Sequence, residues 1–210
     1  MIRLLDFVFS LIGLILLSPF FLLVAFFIKI SSSGSVLYKQ SRIGLNGAEF
    51  SVNKFRTMQL NSDKLGLITV GGRDPRVTPI GYYLRKYKLD ELPQLINVLI
   101  GDMSLVGPRP EVKKYVDLYT QAQSKVLTIR PGITDWASIY YRDENEILGA
   151  SLDPEKDYIE KVMPDKLKFN LIYIENYGSV EYFKIIFRTL WHIIVPGKKS
   201  ICARISKLRN

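Results

Sequence analysis

The chain has 210 residues and carries 29 Lys and Arg against 20 Asp and Glu, a formal net charge of +9. Such an excess favours an anionic partner (phospholipid, nucleotide, phosphate-bearing substrate or nucleic acid) and says nothing about fold. Cys202 is the only cysteine and His192 the only histidine; this excludes an intrachain disulfide, fits a reducing compartment and leaves too few ligands for a structural zinc site.

The N-terminal segment Phe7–Ile28 runs 22 residues without a charge, long enough to cross a hydrocarbon core of ~30 Å. It is longer than the apolar region of a secretory leader, and no small-x-small cleavage site closes it. Pro19 falls near its centre, where it removes one helical N–H and crowds the carbonyl of Ile15. Ser18 can satisfy the freed backbone group in an apolar medium. Two readings follow from the residues. One is a kinked helix that spans. The other is a re-entrant hairpin, broken at Ser18-Pro19, that leaves Arg3 and Lys29 on the same cytoplasmic side.

The residues after about 35 suffice for one domain with a core. "SSSGS", 31–35, reads as a linker. "VLYKQ" and "AEFSVNKF" read as two strands joined by a turn containing Asn46-Gly47. "NSDKLGLITVGGRDPRVTP" is loop-rich, with a Gly71-Gly72 pair that lacks the context of a dinucleotide or P-loop motif. A helix is expected over 79–88. Leu92, Leu95, Ile96 and Leu99 repeat at helical spacing, so a second amphipathic helix is expected over 91–99, with Asp90 as N-cap and Gly101 as its stop. A further helix is expected over 111–123, and "RPGIT", 130–134, reads as a rigid turn. Asp153-Pro154 opens another helix with an acceptor at N-cap and Pro at N1.

Ser179 opens the last helix, through Val195. Its only polar stripe is Glu181, Lys184, Arg188 and His192, so it is either a core helix or one lying in a membrane interface. His192 on this helix is the only histidine on which a His-based triad could draw. The tail "GKKSICARISKLRN" holds five cations and no acid, suited to solvent or to anionic lipid.

"KYKLDELPQLINVLIGDMSLVGPRP" holds the most chemistry. Adjacent acids at a helix start commonly only cap it. Here Lys54, Arg56, Arg85, Lys86, Lys88 and Arg109 lie in the flanking segments. Such cations are expected to depress the carboxyl of Asp90 and keep it ionised. An ionised carboxylate is a nucleophile toward phosphorus and a hard oxygen ligand for Mg²⁺. Arg109 between Pro108 and Pro110 is a preorganised phosphate fork. Together these residues suit phosphoryl-type transfer on a diphosphate at a membrane surface.

"LLSPFFL" at 16–22, "NKFRTM" at 53–58, "RDPRVTPIGYYLRKYKLDELPQLINVLIGDMSLVGPRP" at 73–110 and "RPGITDWASI" at 130–139 resemble the bacterial sugar transferases, the monotopic polyprenyl-phosphate phosphoglycosyl transferase family. The resemblance covers residues 1–145 and is loose beyond them. It implies a mainly α fold with a small β-hairpin: a re-entrant membrane helix over 1–30, a cytosolic α/β catalytic domain over 31–195 with interfacial amphipathic helices, and a basic tail over 196–210. It implies transfer of a sugar-1-phosphate from a UDP-sugar to polyprenyl (undecaprenyl) phosphate with release of UMP, on the cytoplasmic face of the bacterial inner membrane. Asp90 would attack phosphorus and carry the covalent intermediate, and Glu91 would complete the pair as a base or metal-positioning group. Mg²⁺ would sit against Asp90. Lys54, Arg85, Arg109, Pro108 and Pro110 would form the substrate site.

Inner-membrane lipids are implied partners, a homodimer stays open, and no nucleic-acid-binding motif is present. The family's motif often reads T-S-L-D-E where this chain has Tyr87-Lys88-Leu89-Asp90-Glu91. Gly often follows RPGIT where this chain has Asp135, and an acid is often found where it has Asn170. A membrane-tethered binding module whose acidic pair only caps a helix would release no UMP from any UDP-sugar, and a direct glycosyltransferase would release UDP.

Overall fold

The computed structural model describes residues 1–60, 62, 74–142 and 144–195. The sequence features at Gly71-Gly72 and in the basic tail 196–210 lie outside the described residues. The described chain is mainly helical, with two small sheets and one long apolar helix at its start.

That helix, α1, spans Ile2–Ser31 and continues through Pro19. Pro19 cannot donate to the Ile15 carbonyl, and the Ser18 hydroxyl donates to it instead at 2.8 Å, which replaces the missing bond. The two halves of α1 rest on the same body. Near the start, the Arg3 guanidinium donates to the carbonyls of Val98 and Leu99. One turn on, Asp6 is 1% exposed; its Oδ1 accepts from Ser104 Oγ at 3.0 Å, Leu105 N at 2.9 Å and Tyr182 Oη at 2.8 Å. In the second half, Val24 and Ile28 bury themselves against Phe55 and Leu84, and Phe21 meets the Phe55 ring edge-on. Burial of an aliphatic side chain of this size contributes about 1.5–3 kcal/mol. Just past the helix, Arg56 donates to the Ser32 carbonyl at 2.8 Å. Between these anchor points Ile15 and Leu16 are 63% and 73% exposed.

The hairpin appears where the sequence places it. β1 (Leu37–Ile43) and β2 (Glu49–Phe55) pair antiparallel from Leu37↔Phe55 to Ile43↔Glu49. Asn46 and Gly47 turn the chain at φ 55° and 77°, the left-handed region that these residue types tolerate. Helix α2 covers Pro79–Lys86, with Thr78 capping the Gly81 N–H at 3.0 Å.

The helix expected over 91–99 starts later and faces differently. Residues Leu89–Glu91 form a separate tight turn, and α3 covers Gln94–Ile100. Pro93 has no N–H to offer the Leu89 carbonyl, so the Leu92 N–H closes on it one residue early, at 3.3 Å. Asp90 therefore does not cap a helix. The apolar stripe faces α1, where Leu95 approaches Gly13, and the fully buried side carries Gln94, Asn97 and Val98. Asn97 accepts from Asn53 N and Nδ2, both at 2.9 Å, and donates to the Ser51 carbonyl at 2.7 Å, locking α3 to β2. Gly101 ends α3 at φ 102°, as expected.

"RPGIT" is not a free turn. β3 (Ser104–Val106) and β4 (Gly132–Thr134) pair in parallel, Ser104 opposite Gly132 and Val106 opposite Thr134. A Cβ on Gly132 would fall 2.0 Å from the Gly107 nitrogen, so the pair closes only with glycine there. The helix expected over 111–123 is cut to α4, Lys113–Val116. Glu111 is held extended by the Ile43 N–H, which donates to its carbonyl at 2.9 Å. Thr120 and Gln123 then cap each other's N–H groups, which starts a new turn over Gln123–Thr128.

The remaining helices are α5 (Trp136–Tyr140), α6 (Glu144–Gly149), α7 (Pro154–Asp157), α8 (Met163–Glu175) and α9 (Ser179–Ile194). Asp153 caps α7 through the Lys156 N–H at 3.1 Å, as expected. A single wide turn, Tyr158–Val162, joins α7 to α8. Tyr182 and Ile185 of α9 are buried, whereas Val180, Phe187, Leu190, Trp191 and Ile193 are exposed.

Asp6 is the polar rivet between α1 and this body. Asp6→Ala leaves three donors facing one another with no acceptor. It should cost about 2–4 kcal/mol of stability, read by thermal unfolding of the purified chain, while Leu4→Ala on the exposed side should stay within about 0.5 kcal/mol.

Candidate active site

Three segments meet at Glu91. Lys54 comes from the end of β2, opposite Tyr38. Arg109 comes from the stretch that leaves β3. Glu91 comes from the tight turn before α3, entered through Lys88 at φ 58°. Such a backbone in a non-glycine residue costs of order 1 kcal/mol and is held by its surroundings. Lys54 Nζ donates to Glu91 Oε1 at 3.2 Å. The Arg109 guanidinium grips both oxygens, with Nη1 donating to Oε2 at 3.1 Å and Nη2 to Oε1. This planar two-point match is one that lysine cannot make.

The electrostatics separate the two acids. Burial pushes the Glu91 carboxyl up, but the Arg109 and Lys54 charges outweigh it and hold Glu91 well below the usual carboxylate range. Burial lowers Lys54, partly countered by Glu91. The Glu91 charge raises Arg109 against its burial. Asp90 goes the other way: burial first, and then the neighbouring Glu91 charge, push it up to about 6, against the opposing charges of Lys54, Arg85 and Lys88. The expectation that flanking cations depress Asp90 is thus reversed. Lys54 and Arg109 are committed to Glu91, and the Asp90 carboxylate forms no hydrogen bond or ion pair with a described residue.

Of the other residues singled out in the sequence, Arg85 ends α2 and acts on Asp90 through its charge. Pro108 and Pro110 fix the arginine between them through their carbonyls, which accept from Gly132 N at 2.9 Å and Arg42 Nη1 at 3.3 Å. Sequence reasoning missed the layer behind Arg109. Tyr158 Oη donates to Glu111 Oε1 at 2.7 Å, and Lys166 Nζ bonds Glu144 at 2.8 Å. The one available signal was Lys166, Asn170 and Tyr173 at i, i+4 and i+7 on α8, side chains with polar groups sharing one helical face. Among the described residues, no group of three or more His, Cys, Asp or Glu is disposed to hold a metal.

Residues 1–196 match the sequence profile of the family described as "Bacterial sugar transferase". The chain belongs to that family. A UDP-glucose:undecaprenyl-phosphate glucose-1-phosphate transferase of Escherichia coli (strain K12) is 38% identical over 189 residues, covering 89% of this chain and 38% of the relative. An exopolysaccharide production protein, ExoY, of Sinorhizobium fredii is 36% identical over 200 residues, 88% of this chain and 81% of the relative. A UDP-N-acetylgalactosamine-undecaprenyl-phosphate N-acetylgalactosaminephosphotransferase of Aeromonas hydrophila is 35% identical over 192 residues, 90% of this chain and 42% of the relative. The chain therefore spans less than half of two of these sugar transferases and most of the third.

The raised value of Asp90 makes its ionised form the costly one in the fold. Below its ordinary value of 3.8, folded and unfolded chains are both protonated there and the penalty is absent. The penalty grows as the pH rises toward about 6 and is constant above it. Asp90→Asn should therefore stabilise the protein at pH 7.5 by about 1–3 kcal/mol. Chemical denaturation as a function of pH should show the gain shrinking to near zero by about pH 4.

Proposed function

We propose that this bacterial sugar transferase moves a sugar-1-phosphate from a UDP-sugar to polyprenyl (undecaprenyl) phosphate and releases UMP. This is the first membrane step of a bacterial polysaccharide or glycoconjugate. The reading is carried by the unequal acid pair: Glu91 is locked by Arg109 and Lys54, and Asp90 beside it has no hydrogen-bond or ion-pair partner among the described residues. It agrees with the activities named for the Escherichia coli and Aeromonas hydrophila relatives.

In this reading an Asp90 oxygen attacks the β-phosphorus. The bond to the bridging oxygen breaks, and UMP leaves with the electron pair, so no proton needs to move. The sugar stays on Asp90 as an acyl phosphate. A phosphate oxygen of the polyprenyl acceptor then attacks the same phosphorus and expels the Asp90 carboxylate, leaving a polyprenyl diphosphosugar. Arg109 and Lys54, held ready by Glu91, share their donors with the phosphate oxygens as charge gathers there.

Asp90 is an oxygen ligand without a hydrogen-bond or ion-pair partner among the described residues. That fits a Mg²⁺ ion held by one carboxylate with waters and substrate phosphates as its other ligands. Such an ion would offset the repulsion between Asp90 and the diphosphate.

Support for the membrane placement comes from α1. Arg3 near its start and Ser32 just past its end both bind the same body, which supports a helix that enters and leaves one face of the inner membrane, with the body on the cytoplasmic side. The exposed aromatic and aliphatic residues of α9 supply a second apolar surface beside it, joined through the Phe9–Phe183 contact.

Labelled UDP-sugar supplied without acceptor should leave up to one sugar-phosphate per chain on the peptide carrying Asp90, located by mass spectrometry. Asp90→Asn should leave none, and kcat/KM should lose activity on an acid limb near pH 6. Normal turnover without an adduct, or release of UDP, overturns the mechanism.

For the anchor, Ile2→Cys and Ser33→Cys in a Cys202→Ser background should both react only from the cytoplasmic side in intact cells. Labelling from opposite sides would mean that α1 spans.

A further inference from the structure

The side chains behind Arg109 leave three acceptor-capable atoms with no partner among the described residues. These are Asp135 Oδ2, Ser138 Oγ and Asn170 Oδ1. Asp135 is fully buried and Asn170 is 5% exposed. Buried polar atoms are nearly always satisfied, so three orphans in one region call for a partner, either an ordered water or a ligand group.

Their common location follows from the fold. Val106 and Thr134 are paired across the parallel sheet, so the chain leaves β3 toward Arg109 and β4 toward Asp135 at the same end. Asp135 Oδ1 caps α5 through the Ser138 N–H at 2.6 Å, which leaves Oδ2 turned away from the helix. α5 is zipped to α8 by the Tyr140–Phe169 stack at 4.7 Å and by Tyr141 Oη donating to Asp165 at 2.6 Å. Asn170 follows Phe169. Tyr173, one turn further on α8, reaches the Val106 carbonyl at 3.4 Å. The Asn170 face of α8 therefore looks at the ends of β3 and β4. Arg109, Lys166 and Asn170 line one narrow recess there, and Asp135 and Glu144 both lie close enough to Arg109 for their charges to act on it.

The chemistry of the recess selects its occupant. A carboxyl oxygen, an amide oxygen and a hydroxyl offer mainly acceptors. Arg109 and Lys166 in the recess are already paired with Glu91 and Glu144, so the unpaired atoms call for a donor, and a sugar hydroxyl is one whereas a diphosphate offers only acceptors. In the transferase reading, on which this inference rests, the sugar is attached directly to the phosphorus that Asp90 attacks, and the nucleoside lies one phosphate further away.

We propose that Asp135, Ser138 and Asn170 form the sugar-recognition subsite, accepting from hexose hydroxyls beside Arg109 and setting which UDP-sugar is used. A hydroxyl of the wrong stereochemistry, or an N-acetyl group in its place, leaves these acceptors unpaired and is rejected.

The test uses the full chain and a panel of UDP-glucose, UDP-galactose and their N-acetylated forms, with UDP as the sugar-free control. Asp135→Asn keeps the helix cap, Asn170→Leu keeps the volume, and Ser138→Ala removes only the orphan hydroxyl. In the wild type, one sugar should raise the thermal midpoint beyond UDP alone. Each variant should lose that sugar-dependent part, keep the UDP shift, and change the kcat/KM ratio between the best and second-best sugars by roughly ten-fold or more. Equal loss for every sugar with an unchanged ratio, or stability loss alone, would assign the orphans to a buried structural water and overturn the subsite. An equal loss of UDP binding would place the ribose there instead and also overturn it. Sugar-dependent binding that the variants abolish, in a wild type that releases no UMP, would support the subsite and overturn the transferase reading.

Discussion

The fork of Arg109 on Glu91, with Lys54 on the same carboxylate, is the interaction on which the site depends. It joins three segments that are remote in sequence: the end of β2, the turn before α3 and the stretch after β3. A buried ion group of this kind is weak evidence for stability, because stripping water from three charges offsets much of their attraction. Its value lies in geometry. Two cations share one acid, and Arg85 and Lys88 add further positive charge around Asp90, so the locus has a surplus of positive charge for an anionic ligand. Glu91 keeps those cations extended and close together until the ligand arrives. Without it they would repel each other in a half-buried space.

The same arrangement accounts for the state of Asp90. Each cation paired with Glu91 is less available to its neighbour, and Glu91 adds a negative charge beside it. Asp90 is left with a carboxyl near 6, still mostly ionised at neutral pH. It is more basic than an ordinary aspartate, and basicity favours attack on phosphorus. In the proposed reaction one acid spends its charge on holding the cations, and the other is free to act as the nucleophile. The left-handed backbone at Lys88 belongs to the same device. It ends α2 abruptly and sets the two acids on a tight turn, where the hydrogen bonds of Arg109 and Lys54 go to Glu91 alone.

Much of this was legible in the sequence where local chemistry decides. Asn46-Gly47 marks a turn, Asp153-Pro154 marks a helix start, and the hairpin follows from alternation and residue type. The failures share a cause. Leu95, Ile96 and Leu99 lie on the side of α3 that meets α1, so the fully buried positions are instead Gln94, Asn97 and Val98. Periodicity gives a face and does not name its partner. "RPGIT" reads as a turn because Pro and Gly dominate it, yet its last three residues pair in parallel with a strand 28 positions earlier in register, a long-range contact that no window detects. The acid pair was recognisable by its neighbours. Its inversion was not, because which acid receives the arginine depends on where Arg109 arrives after β3.

The depth of the chemistry is set by β3. Ser104 and Leu105 hold Asp6 of α1, and Tyr182 of α9 closes on the same carboxyl oxygen. Val106 pairs with β4, and three residues later the chain delivers Arg109 to Glu91. No flexible joint separates the apolar helix from Arg109, the arginine proposed to hold phosphate. The anchor and the fork are two ends of one six-residue run, Ser104 to Arg109, with Gly107 pressed against Gly132 between them. In the proposed reaction one substrate is dissolved in water and the other is tethered in lipid, so the reacting phosphorus must lie at a fixed height above the apolar surface. A helix that merely tethered a domain through a linker would leave that height free. Bolting α1 to the strand that carries the arginine sets it, which explains why a carboxyl is kept fully buried on an otherwise apolar helix.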